Sequence, residues 1–169
     1  MKEIDVKKLF EMALDEVVAL EEGLYSFTRL MRDNYDLCVF FENAAVTPEQ
    51  KKKMFADLHP GAEPILKQVV DLLIDEGLEK STGQLSEELT KLVSERLKIT
   101  FADVVTPFPL TDGERVGIEK FVGDKAHLRV KIDPSLIGGI RVMTSDGRLL
   151  DGSLKGTIER LKEELTYAG

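Results

Sequence analysis

The sequence predicts an α + α/β chain: a bundle of short helices over residues 1–98, then a small β-α-β-β-β-α module. Three observations carry this. Apolar residues recur at helical spacing through the first part. Gly and Pro breakers then cut that part into short pieces. Near Ile99 the hydrophobic period drops from 3.6 to 2.

Taking the elements in order, Leu9, Ala13, Val17, Leu20, Leu24, Phe27 and Met31 form one apolar stripe at three- and four-residue steps. Gly23 interrupts it, which predicts two helices. A short helix follows around Leu37, Phe40 and Phe41. In "TPEQ", Thr47 is an N-cap, Pro48 takes the first helical position and Gln50 completes a capping box. "HPGAEP" breaks the chain, Ile65–Glu76 reads as a helix ended by Gly77, and a last helix carries Leu85, Leu89, Leu92, Val93 and Leu97. Five or six short helices of this kind make a bundle.

Beyond Ile99 the β-formers begin: Ile99, Phe101, Asp103 and Val105 alternate with Thr100, Ala102, Val104 and Thr106. Residues 99–106 read as a connecting strand or linker, and 107–169 as the α/β domain. Thr111 and Glu114 form a second capping box, opening a helix with Val116, Ile118, Phe121 and Val122. "HLRVKI" alternates, with Leu128, Val130 and Ile132 inward and His127, Arg129 and Lys131 outward. Asp133-Pro134 predicts a tight turn. The pair Gly138-Gly139 reads as a β-bulge or a close backbone approach in the strand that follows. Ser145-Asp146-Gly147 predicts a hairpin turn, "RLLD" a return strand, and Leu154, Ile158, Leu161 and Leu165 a C-terminal helix.

Net charge is −8, concentrated at the front: residues 1–100 hold 13 Lys/Arg and 20 Asp/Glu, net −7, and residues 101–169 hold 10 and 11. Such an acidic front repels nucleic-acid phosphates and anionic lipid heads, and suits a basic or amphipathic partner segment. No apolar run approaches the ~18 residues of a membrane span. The N-terminus has neither a signal peptide's apolar core nor a transit peptide's basic character, and the single Cys38 fits a reducing compartment.

Chemistry is sparse. Gly138-Gly139 lacks both phosphate-cradle spacings and has no helix after it, so a small enzyme acting on a phosphorylated metabolite rests on this pair alone. His59 and His127 belong to no H-x-x-x-H pattern, and no C-x-x-C exists. Cys38, among Leu37, Val39, Phe40 and Phe41, reads as a buried, inert thiol. Ser135 and Ser153 lack a nucleophile elbow. Glu21-Glu22, Glu87-Glu88 and Glu163-Glu164 read as solvated faces, and Lys51-Lys52-Lys53 is a short basic run outweighed by acid. No catalytic, cofactor or metal site is expected; the residues point to a protein that works by contact.

"DPSLIGGIRV" (133–142) followed by "LDGSLKGTIERLKEEL" (150–165) resembles the signature end of the delta subunit of F-type ATP synthases, the oligomycin-sensitivity-conferring protein family. "KKLFEMA" (7–13), "FFENAAVTPEQKKKMF" (40–55) and "VVTPFPLTD" (104–112) extend the resemblance over essentially the whole chain. Asp5-Val6 stands where members commonly have Tyr-Ala, and Asn43-Ala44 replaces a frequent Asn-Pro.

The resemblance implies an N-terminal six-helix bundle and a non-catalytic stator of a proton-translocating ATP synthase. The bundle would bind the N-terminal helix of a head alpha subunit, and the C-terminal domain the ends of the stalk b subunits. The implied location is the cytoplasmic face of a bacterial plasma membrane, held there through the complex. The implied groove lies between the first and fifth helices, at Leu9, Met12, Ala13 and Glu16 opposite Leu85, Leu89 and Leu92; read alone, the sequence assigns these leucines to the core. Asp133, Pro134, Gly138, Gly139, Asp151, Gly152 and Ser153 are the family-motif residues with structural roles. A standalone adaptor for some other amphipathic helix is the alternative function.

Overall fold

The computed structural model describes residues 5–13, 16–136 and 138–152. It divides into two compact units, residues 1–93 and 94–169.

The helical unit begins with α1 (Val6–Met12), capped by the Asp5 carboxylate, which accepts from the amides of Lys7 and Lys8. α2 (Val17–Asp33) follows. The predicted break at Gly23 is therefore corrected: α1 ends at Met12, α2 begins at Val17, and Gly23 lies well inside α2. The reason is packing. A Cβ at residue 23 would stand 2.4 Å from Leu66 Cδ2, so this glycine lets α5 approach α2.

α3 (Tyr35–Glu42) is capped by Asn34, and α4 (Pro48–Leu58) by the Thr47–Gln50 box with Pro48 in its first turn. α5 (Pro64–Asp75) ends before Gly77, whose φ of +67° only glycine adopts freely. A single 3₁₀ turn (Glu79–Ser81) leads into α6 (Thr82–Leu97). Val17, Leu20, Leu24, Phe41, Phe55, Val70, Leu73, Leu89 and Val93 form the buried interior. Phe27 meets Phe41 and Phe55 edge-on at 5.0 and 5.1 Å between ring centroids, the geometry aromatic quadrupoles favour.

In the second unit, β1 (Thr100–Thr106) lies beside β2 (Ala126–Ile132) and β3 (Arg141–Thr144), with β4 (Leu149–Asp151) beyond β3, in the order β2-β1-β3-β4. β1 runs parallel to β2, joined by α7 (Asp112–Val122), and antiparallel to β3; β3 and β4 form a hairpin. Residues 100–106 thus form an inner strand of the sheet. Ala102, Val104 and Val142 pack against Ile118 and Val122 of α7, with Leu128 and Val130 at the margin.

One inward assignment does not hold. Ile132 is 52% exposed although Thr106 opposite it is buried, because it is the last residue of β2, the edge strand of the sheet. On α7, Val116 is exposed, and Ile118 and Val122, one turn apart, define the buried face.

Asp133 makes the predicted turn, its Oδ1 accepting from the Ser135 amide at 3.0 Å and hydroxyl at 2.6 Å. Gly138 and Gly139 have φ of +73° and +78°, and β3 starts only at Arg141. The pair is therefore no bulge within a strand; it is a left-handed stretch of the connection, which needs glycine for its φ. Gly147, at φ +89°, closes the hairpin. The predicted C-terminal helix (Leu154, Ile158, Leu161, Leu165) and Ser153 lie outside the described residues.

Candidate partner interface

α1 contributes Leu9 and Ala13, and α6 contributes Leu85 and Leu89, to the interior of the helical unit; all four side chains are buried without any partner. Leu92 is half-buried and Glu16 exposed, so these two are the members of the set that solvent reaches. The side chain of Met12 lies outside the described residues.

Two charged groups, Glu21 and Lys51, prove to be internal. Glu21 is 1% exposed, in line with Val17, Leu20 and Leu24 on α2, and its carboxylate accepts a hydrogen bond from the Thr90 hydroxyl of α6. The reading of Glu21 as a solvated residue is corrected accordingly. Lys51 is also buried, its Nζ 2.5 Å from Glu79 Oε1, while Lys52 pairs with Asp75 at 2.7 Å. Two of the three residues in the basic run thus hold α4 to α5 and the turn after it. The Asp75 carboxylate raises the pKa of Lys52. The signal that could have found Glu21 is its helical phase, four residues after Val17 and three before Leu24.

Reactive groups are muted. Burial, reinforced by the Glu42 carboxylate that its thiol contacts at 3.4 Å, raises the pKa of Cys38 and keeps it protonated. His59 stacks on Phe55 with centroids 5.0 Å apart, and desolvation lowers its pKa. Among the described residues, no group of three or more His, Cys, Asp or Glu side chains is placed to hold a metal ion, and no helix is long and apolar enough to cross a membrane.

In the second unit the quoted motifs converge. The Asp133 amide donates to Thr106 O at 2.8 Å, and the Gly152 amide to Ile140 O at 2.9 Å, so segments 104–112, 133–142 and 150–152 are stitched together. A Cβ on Gly152 would press to 3.4 Å from Ile140 O. Asp151 stands opposite Arg141 in the β3–β4 register. These residues shape the sheet and its connections.

A residue no motif signalled, Arg148, locks the hairpin to α7: its Nη1 and Nη2 donate to Phe121 O at 2.6 Å and Val122 O at 2.7 Å. Its Nε donates to Asp146, whose carboxyl is held down to about 2, chiefly by Arg148 and the Thr144 hydroxyl. On the other side of the sheet, Arg129 lies 4.3 Å over the Phe101 ring and 3.6 Å from Asp103.

Comparison with known proteins is consistent along the chain. The family model described as ATP synthase delta (OSCP) subunit matches residues 7–165. The chain is 29% identical over 164 residues to ATP synthase subunit delta of Lysinibacillus sphaericus, covering 93% of this chain and 92% of that one. To ATP synthase subunit delta of Moorella thermoacetica it is 26% identical over 168 residues, covering 96% and 94%. Its fold is similar to a chain in the cryo-EM structure of the Toxoplasma gondii mitochondrial ATP synthase hexamer, with a TM-score of 0.53, 16% identity, and coverage of 95% and 94%.

Proposed function

Because the family match spans residues 7–165, the chain belongs to the ATP synthase delta (OSCP) subunit family, and we propose that it is the joint through which the peripheral stalk holds the catalytic head. Members of this family are structural, non-catalytic components of the peripheral stalk. In the proposed role, residues 1–98 grip the N-terminal helix of a head alpha subunit and residues 107–169 meet the ends of the stalk b subunits. The head then stays fixed while the rotor turns, and torque drives ATP synthesis. The proposed location is the cytoplasmic face of a bacterial membrane, reached through the complex.

The match along the whole chain is the observation that carries this reading. Physical features support it. The acidic helical region suits a basic amphipathic helix. Glu16, just before α2, is exposed and Leu92 of α6 is half-buried, a charge and an apolar group of the kind such a helix engages. Buried Leu9, Ala13, Leu85 and Leu89 would hold the two helices that form the site.

Titrating the full chain with a peptide of the cognate alpha subunit's N-terminus tests this. Saturable binding, weakened by Leu92→Asp and Glu16→Lys with melting unchanged, is expected. Absence of binding, or binding indifferent to both substitutions, overturns the α1–α6 site; co-purification with proteins other than ATP synthase subunits favours the adaptor reading.

A further inference from the structure

The helix α3 is anomalous in its unit. Its sequence, YDLCVFFE, is dominated by apolar and aromatic residues, yet only Phe41 is buried. Tyr35 is 80% and Val39 45% exposed. Successive residues turn by about 100° around a helix, so Tyr35 and Val39 stand together on the face opposite Leu37 and Phe41. Asp36 and Glu42, both exposed, flank this pair on either side. The next segment continues the surface: Asn43 accepts from the Ala45 amide at 2.9 Å, and Ala44 and Ala45 are exposed. The helix is anchored from within, since Phe41 packs edge-on against Phe27 at 5.0 Å, so the outer face is presented without an ordering cost.

We propose that the outer face of α3 is a second docking surface of the helical unit, taking a basic amphipathic helix from a partner protein. An apolar pair one turn apart with a carboxylate on each flank is the complement of a helix whose apolar i, i+4 residues are bordered by Lys or Arg. The same charges argue against other occupants. A second copy of this chain would set Asp36 and Glu42 against like charges, and residues 1–100 carry net −7, which repels an anionic lipid surface. The surface uses none of the residues of the proposed α1–α6 site and does not rest on it.

The test is a heteronuclear NMR titration of the full ¹⁵N-labelled chain with a synthetic helical peptide carrying leucines at i, i+3, i+4 and i+7 and lysines elsewhere. A peptide with glutamates in place of the lysines is the control. Amide shifts should centre on residues 35–45. Tyr35→Ser with Val39→Ser should weaken binding roughly tenfold or more, because both anchors are lost. Asp36→Lys with Glu42→Lys should move the preference to the glutamate peptide. All four side chains are exposed, so melting should be unchanged in each variant. Lack of saturable binding, or shifts that ignore these substitutions, overturns the proposal; shifts centred on Glu16 and Leu92 overturn it while leaving the α1–α6 site standing. Self-association abolished by Tyr35→Ser would reassign the face to a homodimer and equally overturn it.

Discussion

Replacing Gly23 by alanine tests the packing account at its tightest point. In an isolated helix, Gly→Ala stabilises by about 1 kcal/mol. Here the added methyl would sit 2.4 Å from Leu66 Cδ2 and 3.2 Å from its Cγ, against ordinary contacts of about 3.4–4 Å. Leu66 is 3% exposed and cannot swing into solvent, so α2 and α5 must separate or Leu66 must leave its rotamer. Overpacking of this kind costs about 1–3 kcal/mol, which outweighs the propensity gain and leaves a net loss of up to about 2 kcal/mol. Combination with Leu66→Ala sharpens the test. Alone, that truncation costs about 2–5 kcal/mol, but in its background Gly23→Ala should become stabilising by about 1 kcal/mol. The assay is urea denaturation followed by far-ultraviolet circular dichroism, arranged as a double-mutant cycle. If Gly23→Ala stabilises the otherwise unaltered chain, the close approach of α5 to α2 is refuted.

Four further predictions concern charge. Lys51→Ala should cost about 3–5 kcal/mol by stranding the Glu79 carboxylate, whereas Lys51→Met with Glu79→Leu should cost far less, as chemical denaturation would read. Arg148→Ala should lower stability by about 1–3 kcal/mol through the lost bonds to Phe121 O and Val122 O. Asp146, held down to about 2 from an ordinary 3.8, adds stability that is complete above pH 3.8 and fades as pH falls through about 2; Asp146→Asn should flatten acid unfolding in that window. His59 has a folded pKa below 6.5, so its neutral ring favours the fold above pH 6.5. That contribution is lost as pH falls below 6.5 toward the folded value, and His59→Gln should remove this part of a melting-temperature profile.

What was legible in the sequence was what local chemistry decides. Thr47 with Gln50 and Thr111 with Glu114 announce their helices because each box is closed by residues three apart. Asp146-Gly147 announces its hairpin because the turn itself requires φ > 0. Other features depend on distant partners. Gly23 looks the same locally whether it breaks a helix or admits a neighbour, and Leu66 decides the matter from another helix. Glu21 reads as solvated, and Lys51 as one member of a basic run, until α6 and the turn after α5 bring Thr90 and Glu79 to them. Ile132 alternates correctly with Leu128 and Val130, yet it ends a strand at the edge of the sheet and stays exposed. The proposed interface was the least legible, since burial by the chain itself and burial by a partner select the same residues, as Leu85 and Leu89 illustrate.

The most direct test of the central claim is proton-driven ATP synthesis in membranes stripped of this chain and then resupplied with it, measured beside ATP hydrolysis by the head. The stator account predicts that hydrolysis persists without the chain while synthesis disappears, and that stoichiometric addition restores it. Undiminished synthesis in its absence would contradict the account.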